Sequence, residues 1–140
     1  MKTILESIQT RLSGITEFNY IGEDWGQLNT DPVVAMTWPC CLFNISRAFY
    51  NDLGRDQTKT PKNRQTGMFR LKLNIANPRL DSTTENWKEH ELMEKVHTLL
   101  HGYSPAENCS VLKRKNYKRL KRTNGMVVYK VIYIFEVTNV

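Results

Sequence analysis

The sequence predicts an α+β fold: a mostly antiparallel sheet with two helices packed on one face and a β-hairpin at the C-terminal end. Three observations carry this. Apolar residues recur at helical period in two separate stretches, near the start of the chain and from Ser82 to Tyr103. Phe69, Leu71, Leu73 and Ile75 alternate with Met68, Arg70, Lys72 and Asn74, the pattern of a half-buried strand. Asn124-Gly125 sits between two strand-like runs, where a type I′ turn needs positive φ at both central residues. The 140 residues suit one domain, 1–140, long enough to bury a real core.

Taken in order, Thr3 to Glu6 has capping-box spacing, and Ile4, Leu5, Ile8, Leu12 and Ile15 mark one apolar face. Gly14 stands where a helix of about three turns would stop. Phe18 to Ile21 reads as a brief strand, and Gly22 to Pro32 as loop. Val33 to Trp38 suits a strand that Pro39 interrupts with a bulge, an edge or a break. Beyond it, Cys41, Phe43 and Ile45 share one face, Leu42 and Asn44 the other, and Ala48 to Tyr50 prolong the strand. Residues 51–65 are polar, carry Gly54 and Pro61, and read as a flexible loop. Asn77-Pro78 closes the alternating strand.

The second helix begins with another capping box, Ser82 to Glu85. It carries Leu92, Met93, Val96, Leu99 and Leu100 in one stripe and ends at Gly102, with Tyr103 folding back on the last turn. Ser110 to Arg122 then reads as a strand, apolar at its start and basic after it. Met126 to Val137 is apolar on both faces, as in a strand that is central in its sheet or packed on a partner chain. The expected core is Phe69, Leu71, Leu73, Leu92, Val96, Leu99, Tyr133 and Phe135, and Leu99→Ala should cost about 2–5 kcal/mol.

No run approaches about 18 consecutive apolar residues, so no membrane partner is expected, and the charged N-terminus is unlike a signal peptide. Three cysteines, two of them adjacent (Cys40 and Cys41, with Cys109 apart), make a poor disulfide framework and suit buried thiols. His90, Glu94, His97 and His101 form a stripe away from the apolar one. The last two have a zinc-chelating spacing, but solvated histidines are the plainer reading. No nucleophile motif or phosphate loop occurs, and Asp24, Asp31, Asp52 and Asp56 lack the spacing of a magnesium nuclease site. Neither a catalytic residue nor a cofactor or metal site is therefore expected.

One feature stands above background. Seven of the ten residues from Lys113 to Arg122 are basic: Lys113, Arg114, Lys115, Lys118, Arg119, Lys121 and Arg122. Strict alternation would set Lys113, Lys115, Arg119 and Lys121 on one side, and Arg114, Lys118 and Arg122 on the other. Tyr117, interleaved, could stack on a base. Such a ribbon suits nucleic acid or an acidic protein surface, or a solvated edge strand protected by charge.

The layout resembles the tail-terminator and tail-completion (head-tail joining) proteins of tailed bacteriophages and prophages. The matching parts are Ile4 to Ile15, Phe69 to Ile75, Glu85 to Gly102 and the hairpin around Asn124-Gly125, together nearly the whole chain. Cys40-Cys41 and the basic ribbon are not part of that pattern. The resemblance implies a structural virion protein without catalytic residues. It would form a homo-oligomeric ring, often hexameric, at the head-proximal end of the tail tube and stop tube polymerisation. Its partners would be tail-tube and head-neck proteins, and its places the virion and, during assembly, the host cytoplasm. The alternative is a nucleic-acid-binding domain that uses the basic strand 113–122.

Overall fold

The computed structural model describes residues 1–30, 37–52, 65–78, 88–120 and 125–138. Helix α1 (Lys2–Leu12) is followed by β1 (Tyr20–Glu23), a 3₁₀ turn at Gln27–Asn29, β2 (Cys40–Asp52) and β3 (Gln65–Pro78). Helix α2 (Lys88–Leu100), β4 (Lys113–Leu120) and β5 (Met126–Thr138) complete the chain. The five strands form one sheet in the order β1-β2-β3-β5-β4. All pairings are antiparallel except β1 with β2, which run parallel. This is the expected α+β architecture, hairpin included.

Both helices lie on one face of the sheet. Ile4, Ile8 and Leu12 of α1 and Leu92, Val96 and Leu100 of α2 join a single apolar core with the inward side chains of the strands. Those side chains alternate as a pleated strand requires: Phe69, Leu71, Leu73 and Ile75 on β3, and Tyr129, Val131, Tyr133 and Phe135 on β5. Strand β5 is apolar on both faces because it is central, held between β3 and β4. Its outward Val128 enters a second, smaller cluster with Leu28, Cys40, Leu42 and Ala76. The 3₁₀ turn thus covers one end of the helix-free face.

Several boundaries differ from expectation. Met1, not Thr3, is the α1 N-cap, and no side chain caps the helix; Thr3 lies inside the first turn. Strand β1 starts at Tyr20 and includes Gly22 and Glu23, because backbone pairing with Leu42 and Phe43 outweighs their weak strand preference. Thr37 to Pro39 are not strand, and the bulge in β2 falls between Ile45 and Arg47 rather than at the proline. Asn51, Asp52 and Gln65 extend the β2–β3 pair instead of opening a loop. The rest of that predicted loop, most of Val33 to Trp38, the Ser82 capping box and Asn124 lie outside the described residues.

Helix α2 ends where predicted. Gly102 has φ +83°, and the Tyr103 N–H donates to the Leu100 carbonyl at 3.0 Å. The Tyr103 ring turns to α1, its hydroxyl 2.6 Å from Ser7 Oγ and the Arg11 guanidinium 4.7 Å above it. Leu99, expected in the core, is only half-buried. It sits at the seam with α1, where Arg11 Nε donates to its carbonyl at 3.0 Å. Leu100 fills the interior position instead. Among the described residues no helix is long and apolar enough to cross a membrane.

Candidate interaction surface

Among the described residues strand β4 has a single neighbour, β5, and it is exposed from Lys113 through Arg119. A strand with so little core to face keeps its place mainly through backbone pairing, helped by Leu120 on the second apolar cluster and the Tyr117 ring beside that of Tyr129. Cations along it deter further strands. Its register shifts between Arg114 and Asn116. A bulge of this kind puts one extra residue into the strand and reverses the facing of everything beyond it.

The ribbon is therefore divided differently from strict alternation. Arg114 pairs with Tyr133, Tyr117 with Val131 and Arg119 with Tyr129, so these three share the helix-bearing face. Lys113 pairs with Ile134, Asn116 with Ile132 and Lys118 with Lys130, which places them on the helix-free face. Arg119 and Lys118 have each exchanged sides relative to the alternating pattern. Lys121 and Arg122 lie outside the described residues.

On the helix-bearing face the ribbon meets the histidine stripe, in which His90, Glu94 and His101 are exposed and His97 is not fully so. His97 is half-buried, with Nδ1 3.4 Å from the Tyr133 hydroxyl and its ring 4.6 Å from that of His101. His101 Nδ1 accepts the Arg114 backbone N–H at 3.2 Å, which puts the ring proton of the neutral tautomer on Nε2. The Tyr129 hydroxyl lies 3.3 Å from His90 Nε2. Burial, then the Arg114 and His101 charges, hold the His97 pKa below its ordinary value, and burial lifts Tyr133 to about 12. Among the described residues no three metal-ligating His, Cys, Asp or Glu side chains come together.

The helix-free face is the larger cationic surface, and the sequence reading missed it. Register sets Lys118 directly opposite Lys130, and Lys130 opposite Asn74. One residue pair along, Lys72 faces Asn44, and beyond the β2 bulge Arg70 faces Arg47. Lys113 lies across Ile134 from Arg70. Among the described residues only Lys72 of this set has an ion-pair partner, Asp24 at 3.9 Å. Outward positions of β2, β3 and β5 could have revealed this surface, since Arg47, Arg70, Lys72 and Lys130 all stand at polar places in otherwise apolar strands.

At one end of this face a cleft of about 420 Å³ opens between the Asp24–Asn29 segment and the sheet. Asp24 is held from three directions. Gly26 N–H donates to Oδ1 at 3.0 Å, Asn74 Nδ2 to Oδ2 at 2.8 Å, and Lys72 approaches the latter. With its amide nitrogen so engaged, Asn74 leaves Oδ1 buried without a donor, and Asn44 Oδ1 is in the same condition. Trp25, 63% exposed, lines the cleft with Lys72 and Lys130.

Cys40 and Cys41 face opposite sides of the sheet, one in each apolar cluster, and both are buried. Burial pushes the Cys40 thiol up to about 12 and raises Cys41 as well. They are packing residues, as expected.

No family model matches the sequence, and no curated protein matches it. Solved structures do match in fold. One is a chain in the structure of the virion of a native gene transfer agent (GTA) particle, with a TM-score of 0.56 and 8% identity. The match covers 96% of this chain and 91% of that one. At that identity the likeness is one of fold.

Proposed function

We propose that the protein is a structural component of a phage-like particle, a tail-terminator or tail-completion ring at the head-tail junction. The observation that carries this reading is the near end-to-end fold match with a chain of a gene transfer agent virion. A match over 96% of this chain and 91% of the other suits a protein whose whole body serves the same kind of assembly.

The surface chemistry, though not part of that family's pattern, suits docking within an assembly. A body with a strongly cationic edge strand and helix-free face is built to dock on something of opposite sign, and complementary charge steers such docking and sets its register. The two sheet edges, β1 and β4, differ in charge and direction. A head-to-tail contact between unlike surfaces closes into a ring when the rotation permits. The reading makes the protein non-enzymatic, located in the virion and, during assembly, in the host cytoplasm.

Deletion of the gene from a particle-producing strain is the decisive experiment. Tubes of uncontrolled length and heads without tails are expected in electron micrographs. Immunogold on wild-type particles should label the head-proximal tube end. Tails of normal length joined to heads in the deletion strain, or label spread along the tube, would refute the assignment.

A further inference from the structure

We propose that the helix-free sheet face binds single-stranded nucleic acid, with the phosphates on its lysines and arginines and one base in the cleft beside Trp25. Two independent observations lead there. The first is a like-charge lattice. Lys118 stands directly across from Lys130, and Arg47 from Arg70, with no acid between them among the described residues. Like charges directly opposite on a sheet are unfavourable, so a bound polyanion would relieve repulsion that water and salt screen only in part.

The geometry of that anion follows from the sheet. Neighbouring strands lie about 4.8 Å apart and alternate residues along a strand about 6.8 Å, so the cations form a grid rather than a point. A chain of regularly spaced monoanions that can bend to follow the grid suits it better than one phosphate. Lys118, Lys113 and Arg47 are exposed, and Lys130, Lys72 and Arg70 half-buried. The charged ends are therefore presented on a partly apolar floor.

The second observation is the cleft. Asn44 and Asn74 each bury a carbonyl oxygen with no donor, and Asn74 is 9% exposed. Leaving a buried acceptor unsatisfied is unfavourable, and both amides line the cleft, so rotation of either side chain towards it would let a ligand N–H remove the deficit. Trp25 offers an indole surface at the same cleft, and Lys72 and Lys130 supply positive charge there. An aromatic face, amide acceptors and cations together suit an unpaired nucleotide: ring to stack, exocyclic amino group to donate, phosphate to pair. A duplex offers the phosphates but no free base, and an acidic peptide offers charge without the flat ring.

The test is fluorescence anisotropy of a labelled mixed-sequence 15-nucleotide single strand, its duplex and polyglutamate at 0.15 M salt, with each variant's fold checked by circular dichroism. The single strand should bind at least fivefold tighter than the duplex, and polyglutamate should not compete. Its affinity should fall with salt at a log–log slope of about −0.7 per phosphate engaged. Lys118→Glu/Lys130→Glu should lose at least tenfold, and Trp25→Ala about five- to hundredfold for one stacked base. Arg114→Glu/Arg119→Glu, the same charge change on the helix-bearing face, should lose less than threefold. Should the glutamate pair fail to fold, Lys118→Gln/Lys130→Gln should still lose several-fold. Equal loss in both double variants, equal binding of duplex, full affinity in Trp25→Ala, or competition by polyglutamate would each overturn the proposal, the last in favour of an acidic protein surface.

Discussion

Leu99 and Leu100 are sequence neighbours of identical chemistry, and the fold predicts that truncating them has unequal consequences. Leu100 has no exposed surface and points into the core shared by α1, α2 and the sheet. Leu99 lies half-buried at the α1–α2 seam, its Cδ1 3.9 Å from where a Gly14 Cβ would sit. Leu100→Ala removes three carbons from a fully enclosed site and leaves a void that its neighbours close only in part. The expected loss is about 3 kcal/mol, inside the usual range for enclosed leucines. Leu99→Ala removes the same atoms from a site open to water, so the cavity contribution largely vanishes and only partial transfer is lost. About 1–1.5 kcal/mol is expected. Urea unfolding by linear extrapolation separates the two, and melting should show the same order at roughly 3–4 °C per kcal/mol. Equal losses, or a Leu100→Ala loss under 1 kcal/mol, would mean that α2 is rotated about its axis relative to the arrangement described.

Three further outcomes follow from the same packing. His97 has a folded-state pKa below its unfolded value, so the unfolded chain binds the proton first, and stability should decline as pH falls below about 6.5. His97→Gln should flatten that part of the pH profile, and an unchanged slope would rule out His97 as its source. Buried, protonated Cys40 and Cys41 should resist iodoacetamide at pH 8 in the native state while half-buried Cys109 reacts first; mass-spectrometric mapping showing early label at Cys40 would contradict the burial. Gly102→Ala meets no atom within 4 Å yet forces a side chain to φ +83°, so about 1–2 kcal/mol should be lost to backbone strain alone, and a neutral result in urea unfolding would refute it.

Elements with a core to face were legible in the sequence. Helix α2 and strands β3 and β5 carry long periodic apolar sets, and each packs as its period requires, because a slip would turn the whole set to water. The misjudged pieces have little such signal. Strand β1 holds four residues, one of them glycine, and exists through parallel pairing with β2 rather than through its own preference. Leu99 and Leu100 both fit the apolar stripe, and only the position of α1 decides which is interior. Of the histidine stripe, His90 and His101 are exposed as the pattern implies, and only the half-burial of His97 beside Tyr133 of β5 is not legible in the helix pattern alone.

The candidate surface shows the same asymmetry at its sharpest. The seven cations of the ribbon were plain to see, but their facing was not, because β4 has no apolar alternation to mark its register. Arg119 stands with Arg114 only because the bulge near Lys115 shifts the pairing with β5 by one residue. No glycine or proline announces that bulge. Its position is dictated by β5, whose own register is pinned by Tyr129, Tyr133 and Phe135 in the core. The facing of the charged strand is thus inherited from its apolar neighbour. That inheritance aligns Lys118 with Lys130, and so joins one basic strand to the cations of β3 and β2 across the open face.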